Sequence, residues 1–180
     1  MLQLHIADRE LFDERNETFV SIKGQTLNLE HSLVSISKWE AKWKKPFLRR
    51  EPKTREETLD YIRFMTITQN VNPDIYNSIS DEQVMEVNKY IDDKMTATTF
   101  SKVEGKGGGG KIITSEEIYY FMTAYQIPFK CETWHFNRLM TLIKICEEKN
   151  KPPKKMRKGE MAKKRHSLNA ARRAQYHSHG

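Results

Sequence analysis

The spacing of apolar residues changes at Ser32, and this change constrains what the chain can fold into. Before Ser32, apolar and polar residues alternate over residues 2–6, 18–22 and 26–31. After Ser32, apolar residues recur every three or four positions, which is typical of amphipathic helices. Alternating segments joined by short turns predict a small antiparallel β-meander, and such a sheet needs helices to cover its apolar face.

Residues that can cap a helix precede several of the helical segments, and two of them open sequences typical of a capping box. The predicted helix starts are Ser32, Thr54, Ser80 and Ser115. The most apolar helix is predicted over residues 132–148, and a last helix over residues 160–175. The sequence therefore predicts a mostly helical α+β fold, in which an N-terminal antiparallel β-meander packs on four to five helices.

Net charge separates a near-neutral body from a basic tail. Residues 149–180 contain 11 Lys and Arg residues against one acidic residue, Glu160. The preceding residues carry 20 of the 31 basic and 23 of the 24 acidic side chains. A Pro-Pro pair at 152–153, near the start of the tail, stops the most apolar helix from continuing. We therefore expect a globular α+β domain over residues 1–148 and a basic, partly helical tail over residues 149–180.

The basic residues of the tail are candidate partner-binding residues, because Lys and Arg side chains can neutralise the phosphates of nucleic acid. They are Lys154, Lys155, Arg157, Lys158, Lys163, Lys164, Arg165, Arg172 and Arg173. Two alternatives are a tail that folds on an acidic protein surface and a tail that only keeps the chain soluble. The body shows no second basic surface in sequence, which favours a protein partner.

Trp39 and Trp43 form a second candidate partner-binding site. They lie four residues apart next to Lys42, Lys44 and Lys45, and Trp is enriched at interaction hot spots. The alternative is that both indole rings belong to the core, and their helical spacing favours this alternative.

No motif in the body specifies a reaction. Residues 105–111 match a phosphate-binding loop, but Ile112 stands where the magnesium-binding hydroxyl belongs, so residues 107–110 are expected to form a solvated loop. Cys131 and His135 could supply two metal ligands, whereas a zinc site needs three or four. We therefore expect no catalytic, cofactor-binding or metal-binding residues, no cofactor and no enzymatic activity.

Four segments carry a family resemblance that covers nearly the whole chain, including the tail. They are LEHSLVSISKWEAKWKKPFL at 29–48, the helix start at 53–66, WHFNRLMTLIKICEEKNKPPKKM at 134–156 and LNAARRAQ at 168–175. They resemble a family of small proteins from the structural gene clusters of tailed phages and prophages, and in particular the tail assembly chaperones of long-tailed phages. The resemblance implies a helical protein that binds the tape-measure or tail-tube protein, self-associates, and acts in the bacterial host cytoplasm during phage assembly.

Other functions stay open at this point. The chain could remain in the virion as a minor tail or structural protein. It could be a nucleic-acid-binding accessory protein that uses its basic tail, or a phage-encoded inhibitor of a host protein. No apolar run is long enough for a membrane helix, so no membrane partner is expected.

Overall fold

The computed structural model describes residues 1–13, 18–49, 51–99, 113–151 and 158–176. The strands are β1 (Leu2–Ile6), β2 (Arg9–Asp13), β3 (Thr18–Ile22) and β4 (Gln25–Leu29). The helices are α1 (Leu33–Trp43), α2 (Arg55–Met65), α3 (Asp81–Asp92), α4 (Ser115–Ala124), α5 (Phe136–Asn150) and α6 (Lys158–Tyr176). Short 3-10 helices cover Pro73–Ser78 and Phe129–Thr133. The predicted mostly helical α+β class is confirmed.

The chain divides into two compact units, Met1–Glu147 and Glu148–Gly180, a boundary one residue before the division expected from charge. The first unit contains the four strands, α1 to α4 and most of α5. The second unit contains α6. Over the described ranges, no helix is both long enough and apolar enough to cross a bilayer.

The four strands form two antiparallel two-stranded sheets that follow each other along one hairpin, which differs from the predicted three-stranded meander. β1 pairs with β4, and β2 pairs with β3. In every pair, from Leu2 with Leu29 to Asp13 with Thr18, the two residue numbers add to 31. Both ladders therefore share one register. The alternation rule did not predict β2, because its apolar residues, Leu11 and Phe12, are adjacent in sequence.

The chain that follows α2 covers the second edge of β4. The amide of Ile67 donates to the carbonyl oxygen of Asn28 at 2.8 Å, and the amide of Glu30 donates to the carbonyl oxygen of Met65 at 2.9 Å. Leu29 and Thr66 form an isolated β-bridge between these two bonds. This edge pairing ties the hairpin to the helical part of the body.

The core lies where the base of the hairpin meets the helices, and each large apolar side chain buried there contributes about 1.5–3 kcal/mol to stability. Fully buried members include Leu4, Leu27, Leu29, Leu33, Ile36, Ile62, Met65, Ile118 and Leu139. The predicted capping boxes at Thr54 and Ser80 are present. The apolar helix predicted over residues 132–148 begins later, at Phe136, because the 3-10 helix Phe129–Thr133 precedes it.

Candidate functional site

The two tryptophans that were candidates for partner binding lie in different environments. Trp39 is 2% exposed, and its indole Nε1 donates to the carbonyl oxygen of Glu57 at 2.9 Å. Its ring also packs against Phe47, with centroids 5.2 Å apart. The position of Trp39 is therefore that of a core side chain that joins α1 to α2.

Trp43, the last residue of α1, is half-buried between two lysines. The Nζ atoms of Lys42 and Lys45 lie 5.4 Å and 5.9 Å from the centre of its indole ring, within the range of cation–π attraction. Among the described residues, its Nε1 atom has no hydrogen-bond partner although the atom itself is buried. A buried donor without a partner is costly, so the indole N–H of Trp43 is available to donate to an acceptor atom of an incoming group.

Carboxylates of α2 hold both lysines beside Trp43. Lys42 pairs with Asp60, and the Nζ atom of Lys45 lies 2.6 Å from the Oε1 atom of Glu57. The hydrogen bond from Lys45, followed by the one from the amide of Thr54, lowers the pKa of Glu57. Lys42 and Lys45 are thus already paired with carboxylates of the body, which leaves little net charge on these two lysines for a partner to recognise.

The basic residues predicted in the tail fall in two places. Lys154, Lys155 and Arg157 lie outside the described residues. The remaining ones belong to α6 and are Lys158, Lys163, Lys164, Arg165, Arg172 and Arg173. Every side chain of α6 that the structure describes is exposed.

An apolar line runs along α6 next to a basic line. Met161 and Leu168 are seven residues apart, and their side chains are 45% and 49% exposed. Arg165 and Arg172 follow them at four-residue spacing, so each arginine neighbours an apolar residue on the helix surface. The basic residues of α6 were predicted from the sequence as partner-binding candidates, whereas Met161 and Leu168 were not. Met161 and Leu168 thus form an exposed apolar face of α6.

A buried polar network that sequence reasoning missed connects the end of β4 to three helices. The Nδ1 atom of His31 lies 2.5 Å from the hydroxyl oxygen of Tyr61, and Tyr90 donates its hydroxyl to Glu30 at 2.7 Å. His135 packs its ring against His31 and Tyr90, at centroid distances of 5.2 Å and 4.9 Å. These residues come from distant parts of the sequence, so no local motif could indicate the network.

Burial determines the protonation of this network. It lowers the pKa of His31 to about 3, with smaller contributions from His135 and Lys53. It also raises the pKa of Tyr61 and of Tyr90. His31, Tyr61 and Tyr90 are therefore uncharged near neutral pH, and the network acts as hydrogen-bonded core.

The residues considered for metal or phosphate binding do not assemble a site in the described part of the chain. His135 points its Nε2 atom at the carbonyl oxygen of Tyr90, 3.1 Å away, and Cys131 is buried. No group of three or more His, Cys, Asp or Glu side chains that could hold a metal ion occurs among the described residues. The glycine-rich segment 105–111 lies outside them.

Comparison with protein-family models, curated proteins and solved structures finds no match to this chain. The candidate interaction features are therefore identified from the geometry of this chain alone. They are the half-buried indole of Trp43 and the exposed apolar and basic lines of α6.

Proposed function

We propose that this chain is a phage morphogenesis protein that acts by protein–protein binding through α6. It serves either as a tail assembly chaperone or as a minor tail or virion protein. The observation that carries the proposal is the exposed line of Met161 and Leu168 beside Arg165 and Arg172. The resemblance of the sequence to tail assembly chaperones supports the same role.

The apolar line favours a protein partner. A helix whose described side chains are all exposed gains little stability from packing and is marginal in water. Apolar anchors two turns apart are the pattern by which an amphipathic helix docks in a groove. Burying Met161 and Leu168 in such a groove would contribute about 1.5–3 kcal/mol each.

The basic line defines the chemistry of the partner. Arg165 and Arg172 would face the rim of the groove, where carboxylates accelerate association and help to select the partner. The expected partner surface is thus an apolar groove with an acidic rim. Following the family resemblance, we propose that the tape-measure or tail-tube protein carries this groove, or that a second copy of the chain does so in self-association.

The place of action follows from the same proposal. Assembly would occur in the bacterial host cytoplasm during phage production. A chaperone leaves before the particle is complete, whereas a minor tail protein stays. Mass spectrometry of purified virions separates the two roles.

Affinity purification of the tagged full chain from phage-producing cells tests the proposal. We expect the natural chain to recover a tape-measure or tail-tube protein, and Leu168→Asp to recover much less of it. Ala170→Asp is the matched control, because it adds the same charge at an exposed position on the opposite side of α6. Equal recovery by Leu168→Asp and the natural chain, or recovery of no virion protein, would refute the proposal.

A second candidate is nucleic-acid binding, which the excess of basic residues on α6 favours. The helix carries six Lys and Arg residues against one acidic residue, Glu160. Phosphate contacts would make binding of DNA or RNA steeply salt-dependent. This candidate requires the affinity to disappear when residues 149–180 are deleted and to survive Leu168→Asp, and retention of full affinity by the truncated chain would exclude it.

A further inference from the structure

A cleft of about 300 Å³ lies between α2 and α3. Its floor consists of the rings of Phe47 and Tyr61 and the aliphatic side chains of Ile62 and Val87, all of them buried. Apolar walls with a few polar groups are typical of sites that bind small organic groups.

Lys53 is the charged residue of this cleft. Its Nζ atom donates to the carbonyl oxygen of Phe47 at 2.9 Å and lies 4.1 Å from the centre of the Phe47 ring. This bond uses one of the three N–H donors of the ammonium group. Half-buried Lys53 has its pKa lowered by burial, an effect that the charge of Glu57 partly opposes.

The ammonium group of Lys53 differs from those of Lys42 and Lys45 in its ion pairing. Lys42 and Lys45 each pair with a carboxylate of α2. No carboxylate among the described residues forms an ion pair with Lys53. The other polar side chains of the cleft, Thr58 and Asn88, are uncharged. The cleft thus combines a partly desolvated cation with an apolar floor and no acidic lining residue.

We propose that the cleft between α2 and α3 binds a carboxylate carried on an apolar body, with the carboxylate on Lys53 and the apolar body on Phe47, Ile62 and Val87. An anion restores the electrostatic stabilisation that Lys53 loses on burial. The volume holds about ten water-sized groups, enough for a phenyl ring with a short chain. The site belongs to the unit Met1–Glu147 and is independent of the role proposed for α6.

Two sources share this chemistry. One is a free monocarboxylic acid with an aromatic or aliphatic body. The other is an acidic side chain next to an aromatic residue in a polypeptide. In both, removing the negative charge while keeping the shape should weaken binding, because hydrogen bonds to charged groups are the stronger ones.

The test is an NMR titration of the ¹⁵N-labelled full chain with 3-phenylpropionate and with its uncharged amide, 3-phenylpropionamide. We expect shifts at the backbone amides of Thr58, Val87 and Asn88, and about tenfold tighter binding of the acid than of the amide. Equal binding of acid and amide, or shifts confined to residues away from the cleft, would overturn the proposal.

Variants identify the groups responsible. Lys53→Met should remove the preference for the acid, Lys53→Arg should keep it, and Asn88→Trp should weaken both ligands by filling the cleft. Lys38→Met is the control, because Lys38 is exposed on α1 and does not line the cleft. An unchanged acid preference in Lys53→Met would also overturn the proposal.

A second arm distinguishes the two sources. The blocked dipeptide N-acetyl-Phe-Asp-amide is compared with its Asn counterpart in the same titration. Tighter binding of the dipeptide than of 3-phenylpropionate assigns the site to a polypeptide segment, and the reverse order assigns it to a free acid. The proposal is contradicted if neither the acid binds more tightly than its amide nor the Asp dipeptide more tightly than its Asn counterpart.

Discussion

The Nδ1 atom of His31 and the hydroxyl oxygen of Tyr61 lie 2.5 Å apart in the interior of the body. Both side chains are at most 3% exposed. Their hydrogen bond joins the residue that precedes the cap of α1 to the middle of α2. Next to it, the amide of Phe136 donates to the carbonyl oxygen of His31 at 2.7 Å, which fixes the start of α5 at the same point.

The low pKa of His31 predicts that the protein loses stability in mild acid. The pKa is about 3 in the folded chain and about 6.5 in the unfolded chain. Between pH 3 and pH 6.5, His31 binds a proton in the unfolded chain but not in the folded chain. The contribution of His31 to the free energy of unfolding is therefore complete above pH 6.5 and falls as the pH decreases towards 3. At pH 5 the loss should be about 2 kcal/mol.

Urea unfolding at pH 7.5 and pH 5.0 measures this effect. His31→Gln should be less stable than the natural chain at pH 7.5 but should lose less stability on going to pH 5.0. The difference between the two proteins isolates His31 from the carboxylates that also titrate. The same pH dependence in both would contradict the pKa of about 3.

Glu40 should be one of the most sensitive positions of the body. Its carboxylate accepts hydrogen bonds from the amides of Phe47 and Ser115, both at 2.8 Å, and from the hydroxyl of Ser115. Glu40→Ala leaves these buried donors without an acceptor, at an expected cost of about 3 kcal/mol in the free energy of unfolding. Glu40→Gln keeps one acceptor and should cost less, whereas the exposed Glu86→Ala should stay within about 0.5 kcal/mol of the natural chain.

Replacing each tryptophan by phenylalanine should separate their roles. Trp39→Phe removes the donor to the carbonyl oxygen of Glu57 and leaves a cavity, so we expect a loss of about 2–3 kcal/mol. Trp43→Phe removes an N–H group that has no partner among the described residues, so its loss should stay below about 1 kcal/mol. Urea unfolding of both variants gives the comparison. Equal losses would mean that the indole of Trp43 makes a hydrogen bond in solution.

Gly24 should not tolerate a side chain. A Cβ atom at this position would overlap with the carbonyl oxygen of Ile6 and lie 2.7 Å from backbone atoms of Ala7 and Asp8. Gly24→Ala should therefore lower the stability of the body by about 2 kcal/mol, measured by thermal unfolding. The control is Gly159→Ala in α6, where no atom lies within 4 Å of the new Cβ. That variant should raise helical content, measured by circular dichroism.

Features that depend on neighbouring residues could be predicted from the sequence. Thr54 with Glu57, and Ser80 with Gln83, form the expected capping boxes because all their atoms lie within one helical turn. The contact between Glu40 and Ser115 joins positions 75 residues apart, and no local pattern indicates it.

The candidate sites show the same limit. Trp39 and Trp43 share a helical stripe in the sequence, so the sequence does not distinguish them. They differ in the folded chain, because a carbonyl group of α2 accepts a hydrogen bond from Trp39. Lys53 lies in a polar stretch whose sequence gives no sign of a cleft. The apolar spacing of α6, by contrast, can be read directly from the sequence, because it needs only the helical repeat.

The single register of the hairpin implies a gradient of local opening along it. Successive pairs can form outward from Asp13 and Thr18, the pair nearest in sequence, towards Leu2 and Leu29. The pairs at the far end carry core side chains, and the chain after α2 bonds to β4 there. We therefore expect amide protons to exchange most slowly at the base of the hairpin and faster towards β2 and β3. Completing the hairpin and packing the helices would then form one cooperative step.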